Sequence, residues 1–429
     1  MDDLVLSPDP VWLNIAHALV LYLALTLPTA FVIITTQKSP SVRRAWATCV
    51  LYILYRFSLQ VPSLSTSHFL KGVAGGEAAL AALQSLNLLL ITNLDETELV
   101  HAKLYSPSAS LPSRLLRTWA LLLNFRGVGT AWEVKNVPQH PAYLRQRLSR
   151  KRYVLRESVI IVWQYLLLDV IYMSIRDTSP EDVARSFGHG LEFKYFDATF
   201  EQWMGRISTG IFAWLVPCRV CIDIVPRIYF LILVVLGISS PNSCRPGFGR
   251  LRDAYTIRGF WGTFWQQFFR WPLTSVSTYL ARDVLRLPSH SLLERYTNLF
   301  FSFFTSGVLH LICDSMLGVP PSGSGALMFF CSLPLGIMIE DGVEAIWSRV
   351  TGPNEGVVPF WHRLVGFLWV GLWMSLTSPW YLYPSARKHP HEHWMVPVGV
   401  VERIGLGAAQ KILLGYGLLL YWGVGGEVF

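Results

Sequence analysis

A histidine and an aspartate, His310 and Asp314, stand four residues apart inside the otherwise apolar stretch RYTNLFFSFFTSGVLHLICDSMLGV at 295–319. On a helix that spacing puts both side chains on one face. An ionisable group in hydrocarbon costs about 3 kcal/mol or more, so such residues face a bundle interior or a water-filled cavity. Neutral imidazole takes a proton near neutral pH, and a neighbouring carboxylate can fix its tautomer and orientation. General-base activation of a hydroxyl is the chemistry this pair suits. A plain helix-to-helix hydrogen bond is the alternative.

A second candidate is RGFWGTFWQQFFR at 258–270, dense in large aromatics and bounded by Arg258 and Arg270. Read as one helix, residues 261, 264, 265 and 268 share a face while Gln266 and Gln267 interrupt the other. Paired glutamines in lipid must be hydrogen-bonded. The segment is therefore an interfacial helix with aromatic anchors, or a helix lining a cavity with an amide turned to substrate. Asp95, Glu96 and Glu98 form an acidic cluster. Holding magnesium and a pyrophosphate needs a second carboxylate set, and a solvated helix end accounts for this one, so no metal site is predicted. Of six cysteines only Cys218 and Cys221 form a CxxC pair. Without a second pair or nearby histidines it reads as buried thiols rather than zinc or redox chemistry.

The elements that must position these residues are membrane helices. The 429-residue chain is 52% hydrophobic and only 15% charged, well below the roughly 25% of soluble proteins. Its mean hydropathy is +0.38. The 17 Trp and 17 Tyr suit headgroup-level anchoring. The net charge of +8 is carried in short connecting segments. That fits topology and anionic lipid or substrate; no basic stripe on a soluble module points to nucleic acid. The N-terminus MDDLVLSPDP is acidic and runs into a span too long for a signal peptide's apolar region.

Apolar runs place spans at 11–36 (kinked at Pro28), 45–61, 78–94, 154–175, 295–319, 326–347, 360–381 and 404–422. Residues 207–225 and 227–239 are two tight spans or one broken span around Pro217 and Pro226. The total is about eight or nine transmembrane segments in an all-α, single integral membrane domain covering 1–429. Between 97 and 152 the chain turns polar, with an amphipathic helix at 115–125 ended by Gly127 and Gly129. Residues 176–205 read as an extramembrane or interfacial connection. No internal repeat of the transporter kind stands out.

The phrases NFRGVGTAWEVKNVP, RGFWGTFWQQFFR and FFTSGVLHLICD, in this order, resemble the wax synthase-like branch of the membrane-bound O-acyltransferases. Fungal members of that branch include acetyltransferases acting on terpenoid and meroterpenoid products. The resemblance covers about residues 110–380 as an acyltransferase core. It implies an acyl-CoA donor (acetyl-CoA as co-substrate, with no permanently bound cofactor), a lipophilic alcohol acceptor and an endoplasmic reticulum membrane. It maps the family's histidine onto His310 and its second polar position onto Gln266, where this branch usually has a tryptophan–histidine pair. HLICD also has the HxxxD spacing of some soluble acyltransferases.

Acyl transfer to an alcohol needs a base near the hydroxyl and donors for the developing oxyanion. His310 is the expected base, held by Asp314, with direct attack on the activated thioester. Gln266, the Trp265 indole or backbone amides are the expected oxyanion donors. Arg258, Arg270 and Lys135 are positioned in sequence to meet coenzyme A phosphates from the aqueous side. Two other classes compete. A membrane terpene cyclase would use Asp314, or Glu340 and Asp341, as acid, and a lipid carrier or transporter would do no chemistry.

Overall fold

The computed structural model describes residues 10–65, 67–138, 149–352, 358–387, 396 and 398–424, and among them there is no strand. Helices account for the architecture, in two compact units. One comprises residues 1–125 with 309–321; the other comprises 126–308 with 322–429. Each is described by itself.

In the first unit, α1 (Val11–Thr35), α2 (Pro40–Gln60), α3 (His68–Leu86) and α4 (Leu111–Leu123) pack together. Pro28 sits within α1 without ending it. Small residues let α3 lie close to its neighbours: a Cβ on Gly75 would come within 2.7 Å of the Met316 sulfur. Met316 joins Ala18, Phe57, Val61, Leu64 and Ala78 in one apolar cluster. After α3 a wide π-helical turn (Asn87–Ile91) closes on buried Arg43, which donates to the Asn93 Oδ1 at 2.6 Å and the Leu94 carbonyl at 2.7 Å. The acidic cluster then starts the short helix Glu96–His101: Asp95 and Glu98 cap it reciprocally. Glu98 also pairs with Lys38 at 2.8 Å, and Glu96 pairs with Arg114. α4 stops at Leu123, before the two glycines expected to end it. Those glycines instead make the following turn, with left-handed backbone at both.

The second unit holds α5 (Arg150–Ile175), α6 (Phe200–Ile207), α7 (Arg219–Val235), α8 (Arg270–Thr278), α9 (Leu292–Met316), α10 (Ala326–Thr351), α11 (Phe360–Ala386) and α12 (Leu406–Val424). The last turns of α9, from Leu309, are counted with the first unit. Helical turns run unbroken from α6 through π-helical Ser208–Cys218 into α7. This settles the ambiguity at 207–239 as one long helix. Wide turns leave space for Pro217 without an interruption, because the i→i+5 pattern absorbs the missing N–H.

Among the described residues five helices are long and apolar enough to span a bilayer: Val11–Thr35, His68–Ile91, Arg150–Ile175, Leu292–Met316 and Ala326–Thr351. This is fewer than the eight or nine expected, by a criterion of length and composition. α2 carries three arginines, and α11 dilutes its apolar residues with Trp, Tyr, Ser and Pro. α5 and α7 are joined by a buried ionic network. Arg227 bonds Glu157 at 2.6 Å and also Asp223, which accepts from Gln164 at 2.8 Å. The core of the unit is aromatic: Trp214, Phe248, Phe260, Phe264, Trp265, Phe329 and Phe330 form one buried cluster.

Candidate active site

His310 and Asp314 both lie on α9, as their spacing required. Asp314 is 8% exposed and His310 is half-buried. In the first unit, Ile312 and Met316 take the face of α9 that joins the apolar cluster with Ala78. At 100° per residue, His310 and Asp314 fall roughly 120–160° round the helix from that seam. The pair thus shares a face separate from the one used for packing here. Ser306, one turn before His310, is also buried.

The aromatic phrase, in the second unit, is not one helix. A helical turn (Ile257–Gly259) passes into the π-helical turn Phe260–Phe264, and the backbone becomes extended at Trp265. Helix resumes only at Arg270. The shared face expected for 261, 264, 265 and 268 is therefore lost. The reason lies in the glycine connector upstream. Gly249 N–H donates to the Phe264 carbonyl at 2.8 Å, and Gln267 N–H donates to the Gly247 carbonyl at 3.1 Å. These bonds replace the helical ones. A Cβ on Gly249 would sit 2.1 Å from the Thr263 oxygen, so only glycine allows the approach.

Within this break each polar group has a local task. Gln266 Oε1 accepts from Phe268 N–H at 2.8 Å. Gln267, buried, donates to the Trp265 carbonyl at 2.6 Å and accepts from Arg270. Arg270 donates to the Gly262 carbonyl at 2.8 Å, and burial lowers its pKa. Trp265 is 5% exposed, set edge-on to Trp214 and Phe248. Beside it, the Trp261 indole N–H is buried with no hydrogen-bond partner among the described residues. Sequence reading did not single it out; an orphaned buried donor is visible only once its surroundings are.

Of the expected phosphate ligands, Arg258 donates to Asp341 at 2.7 Å and remains half-exposed. Asp341 also accepts from Arg295 at 2.9 Å and from the Tyr296 hydroxyl at 2.9 Å. Glu340 caps the Ile257–Gly259 turn through the Ile257 and Arg258 N–H groups and accepts the Trp369 indole at 3.0 Å. Both carboxylates are thus engaged as hydrogen-bond acceptors in the wall of the second unit. Lys135 is exposed in a turn.

That turn belongs to the phrase NFRGVGTAWEVK, and Arg126 ties it to the aromatic phrase. Arg126 is buried and donates to the carbonyls of Arg245 (2.8 Å) and Pro246, with its guanidinium over the Phe268 ring. Trp132 stacks on Trp271 at 6.3 Å. From Arg126 onward the first phrase that carried the resemblance is therefore packed with the second in the second unit.

Residues 244–332 match the membrane bound O-acyl transferase family, a stretch that holds the aromatic phrase, His310 and Asp314. An integral membrane enzyme that transfers acyl groups to oxygen is the class so defined, and the chain belongs to this family. It is similar to acetyltransferase pyr8 of Aspergillus fumigatus, 69% identical over 99% of this chain and 100% of the relative. It is also similar to acetyltransferase TRI7 of Fusarium sporotrichioides (43% identical over 82% of each) and acetyltransferase atnC of an Arthrinium species (37%, 98% of this chain and 99% of the relative). No solved structure matches.

Proposed function

We propose that the enzyme moves an acetyl group from acetyl-CoA to a hydroxyl of a lipophilic alcohol, a terpenoid or meroterpenoid of secondary metabolism, at the endoplasmic reticulum membrane. The acceptor oxygen attacks the thioester carbonyl while His310 takes the hydroxyl proton. The tetrahedral adduct collapses, the C–S bond breaks, and the imidazolium returns the proton to the coenzyme A thiolate. No acyl-enzyme is formed. Asp314 holds the imidazole and favours its charged form in the transition state. The oxyanion takes a hydrogen bond from the Gln266 amide or the Trp261 indole.

The observation that carries this reading is the His310–Asp314 pair on a membrane-length apolar helix, inside the family's matched stretch. The acetyl group rests on relatives that are named acetyltransferases. The acceptor class and the compartment rest on the resemblance of the three sequence phrases.

The test is mass spectrometry of products from membranes given labelled acetyl-CoA and candidate terpenoid alcohols. His310→Ala should lower turnover by about 10²–10⁴ and Asp314→Asn by less, both at normal protein levels. Full turnover by His310→Ala would overturn the mechanism; label reaching no alcohol, only water, would overturn the acceptor class.

A further inference from the structure

In the second unit, where α9 begins, the surface opens into a cavity of about 370 Å³ lined by Arg282, His290, Ser291, Glu294, Arg295 and Asn298. That volume falls among those of small-molecule sites, roughly 300–1,000 Å³. Its two arginines are each only partly committed. Arg282 gives its Nε–H to Glu294, and Arg295 gives one Nη to Asp341. Both are half-exposed, and neither guanidinium makes another hydrogen bond among the described residues, though that of Arg295 also lies 5.7 Å from the centre of the Tyr296 ring. Glu294 is buried, its carboxylate oxygens accept from Arg282 and from the His290 N–H at 2.6 Å, and its backbone N–H donates to the Ser291 hydroxyl at 3.1 Å. Its charge is thus offset within the wall. The first turn of α9 adds the positive end of a 25-residue helix.

One wall atom asks for something other than an anion. Asn298 Oδ1 is buried without a hydrogen-bond partner among the described residues, an acceptor that costs free energy until a donor arrives. Phosphate oxygens satisfy the guanidiniums, while this oxygen needs an N–H or O–H donor. A phosphate ester carrying an N–H or O–H donor satisfies both. We infer that this cavity receives the phosphorylated nucleotide end of the acyl donor, with Arg282 and Arg295 on phosphate oxygens and Asn298 on the adenine amine or a ribose hydroxyl. The inference rests on the proposed use of acetyl-CoA. It moves the phosphate contacts away from Arg270, whose bonds are spent inside the aromatic phrase.

The probe is adenosine 3′,5′-bisphosphate with the full chain in phosphatidylcholine nanodiscs. It should raise the thermal midpoint and inhibit competitively against acetyl-CoA. Arg295→Gln leaves Asp341 its partner Arg258, and Arg282→Lys keeps the charge beside Glu294. Each should raise KM for acetyl-CoA about tenfold with kcat and the alcohol's KM within about twofold, and weaken the bisphosphate shift. Unchanged KM and an unchanged bisphosphate shift in both variants would overturn the site. An inositol phospholipid headgroup offers the same chemistry. Activity that needs phosphatidylinositol, loses that need in Arg295→Gln and keeps its KM for acetyl-CoA would assign the cavity to lipid and overturn the nucleotide. A bisphosphate shift in a chain that transfers no acetyl would sink the proposed reaction while leaving the cavity's ligand standing.

Discussion

The guanidinium of Arg126 lies 4.7 Å from the centre of the Phe268 ring, and its two Nη atoms close on consecutive carbonyls, those of Arg245 and Pro246. Burial first, and then the neighbouring Arg245, push its pKa down to about 10. Arg126→Gln should cost about 2–4 kcal/mol, since two buried acceptors and a cation–π contact are lost together. Thermal unfolding in detergent measures it. The sign of the pH effect follows from linkage. Below pH 10 both folded and unfolded chains hold the proton, so the difference between parent and variant should stay constant from pH 6 to 9. Above about 10 the folded parent releases the proton before the unfolded chain does. The parent should then gain stability relative to the variant as pH rises further.

The Glu157–Arg227–Asp223 network fastens α5 to α7 with both carboxylates almost fully buried. Removing one partner leaves a charge uncompensated, typically a loss of about 3–5 kcal/mol. Arg227→Met should therefore unfold readily. Replacing Arg227, Glu157 and Asp223 together by apolar residues of similar size should recover much of the loss. Denaturation midpoints of the single and triple variants decide it; equal destabilisation in both would show that packing, not charge, sets the cost.

Gly249→Ala tests whether the break in the aromatic phrase is imposed by the glycine connector. Its Cβ would meet the Thr263 oxygen at 2.1 Å. Overpacking of this kind costs about 1–3 kcal/mol, and the bond to the Phe264 carbonyl goes with it. Acetyl transfer per folded molecule should fall more than stability does, because the segment bearing Gln266 and Trp261 moves.

Trp261→Phe separates an idle donor from a working one. The indole N–H is buried and has no partner among the described residues, so deleting it should hold or raise the thermal midpoint. If that donor meets the oxyanion, kcat should drop about ten- to a hundredfold with both KM values little changed. A stabilised variant with full kcat would leave Gln266 or the backbone as the donor.

Much of this was readable beforehand. Runs of apolar residues long enough to span a bilayer placed α1, α5, α9 and α10, and His310 with Asp314 could be assigned one helical face from spacing alone. What could not be read was set by residues far away in sequence. The break at Trp265 depends on Gly247 and Gly249, which lie outside the aromatic phrase and replace its helical hydrogen bonds. Arg126 was not singled out, because its carbonyl partners lie more than a hundred residues on. Arg258 and Arg270 were read as open to ligand, yet sequence gives no sign that Asp341 and the Gly262 carbonyl hold them.

Asp341 answers to three donors at once: Arg258, Arg295 and the Tyr296 hydroxyl. Such sharing makes the carboxylate a reserve counterion. Whenever a guest draws Arg295 aside, Arg258 and the phenol still cover Asp341, and on departure the vacated guanidinium finds its old seat waiting. Loading and unloading at the mouth of α9 can then proceed without stranding a bare charge at the membrane, a condition that any site emptied once per turnover has to meet.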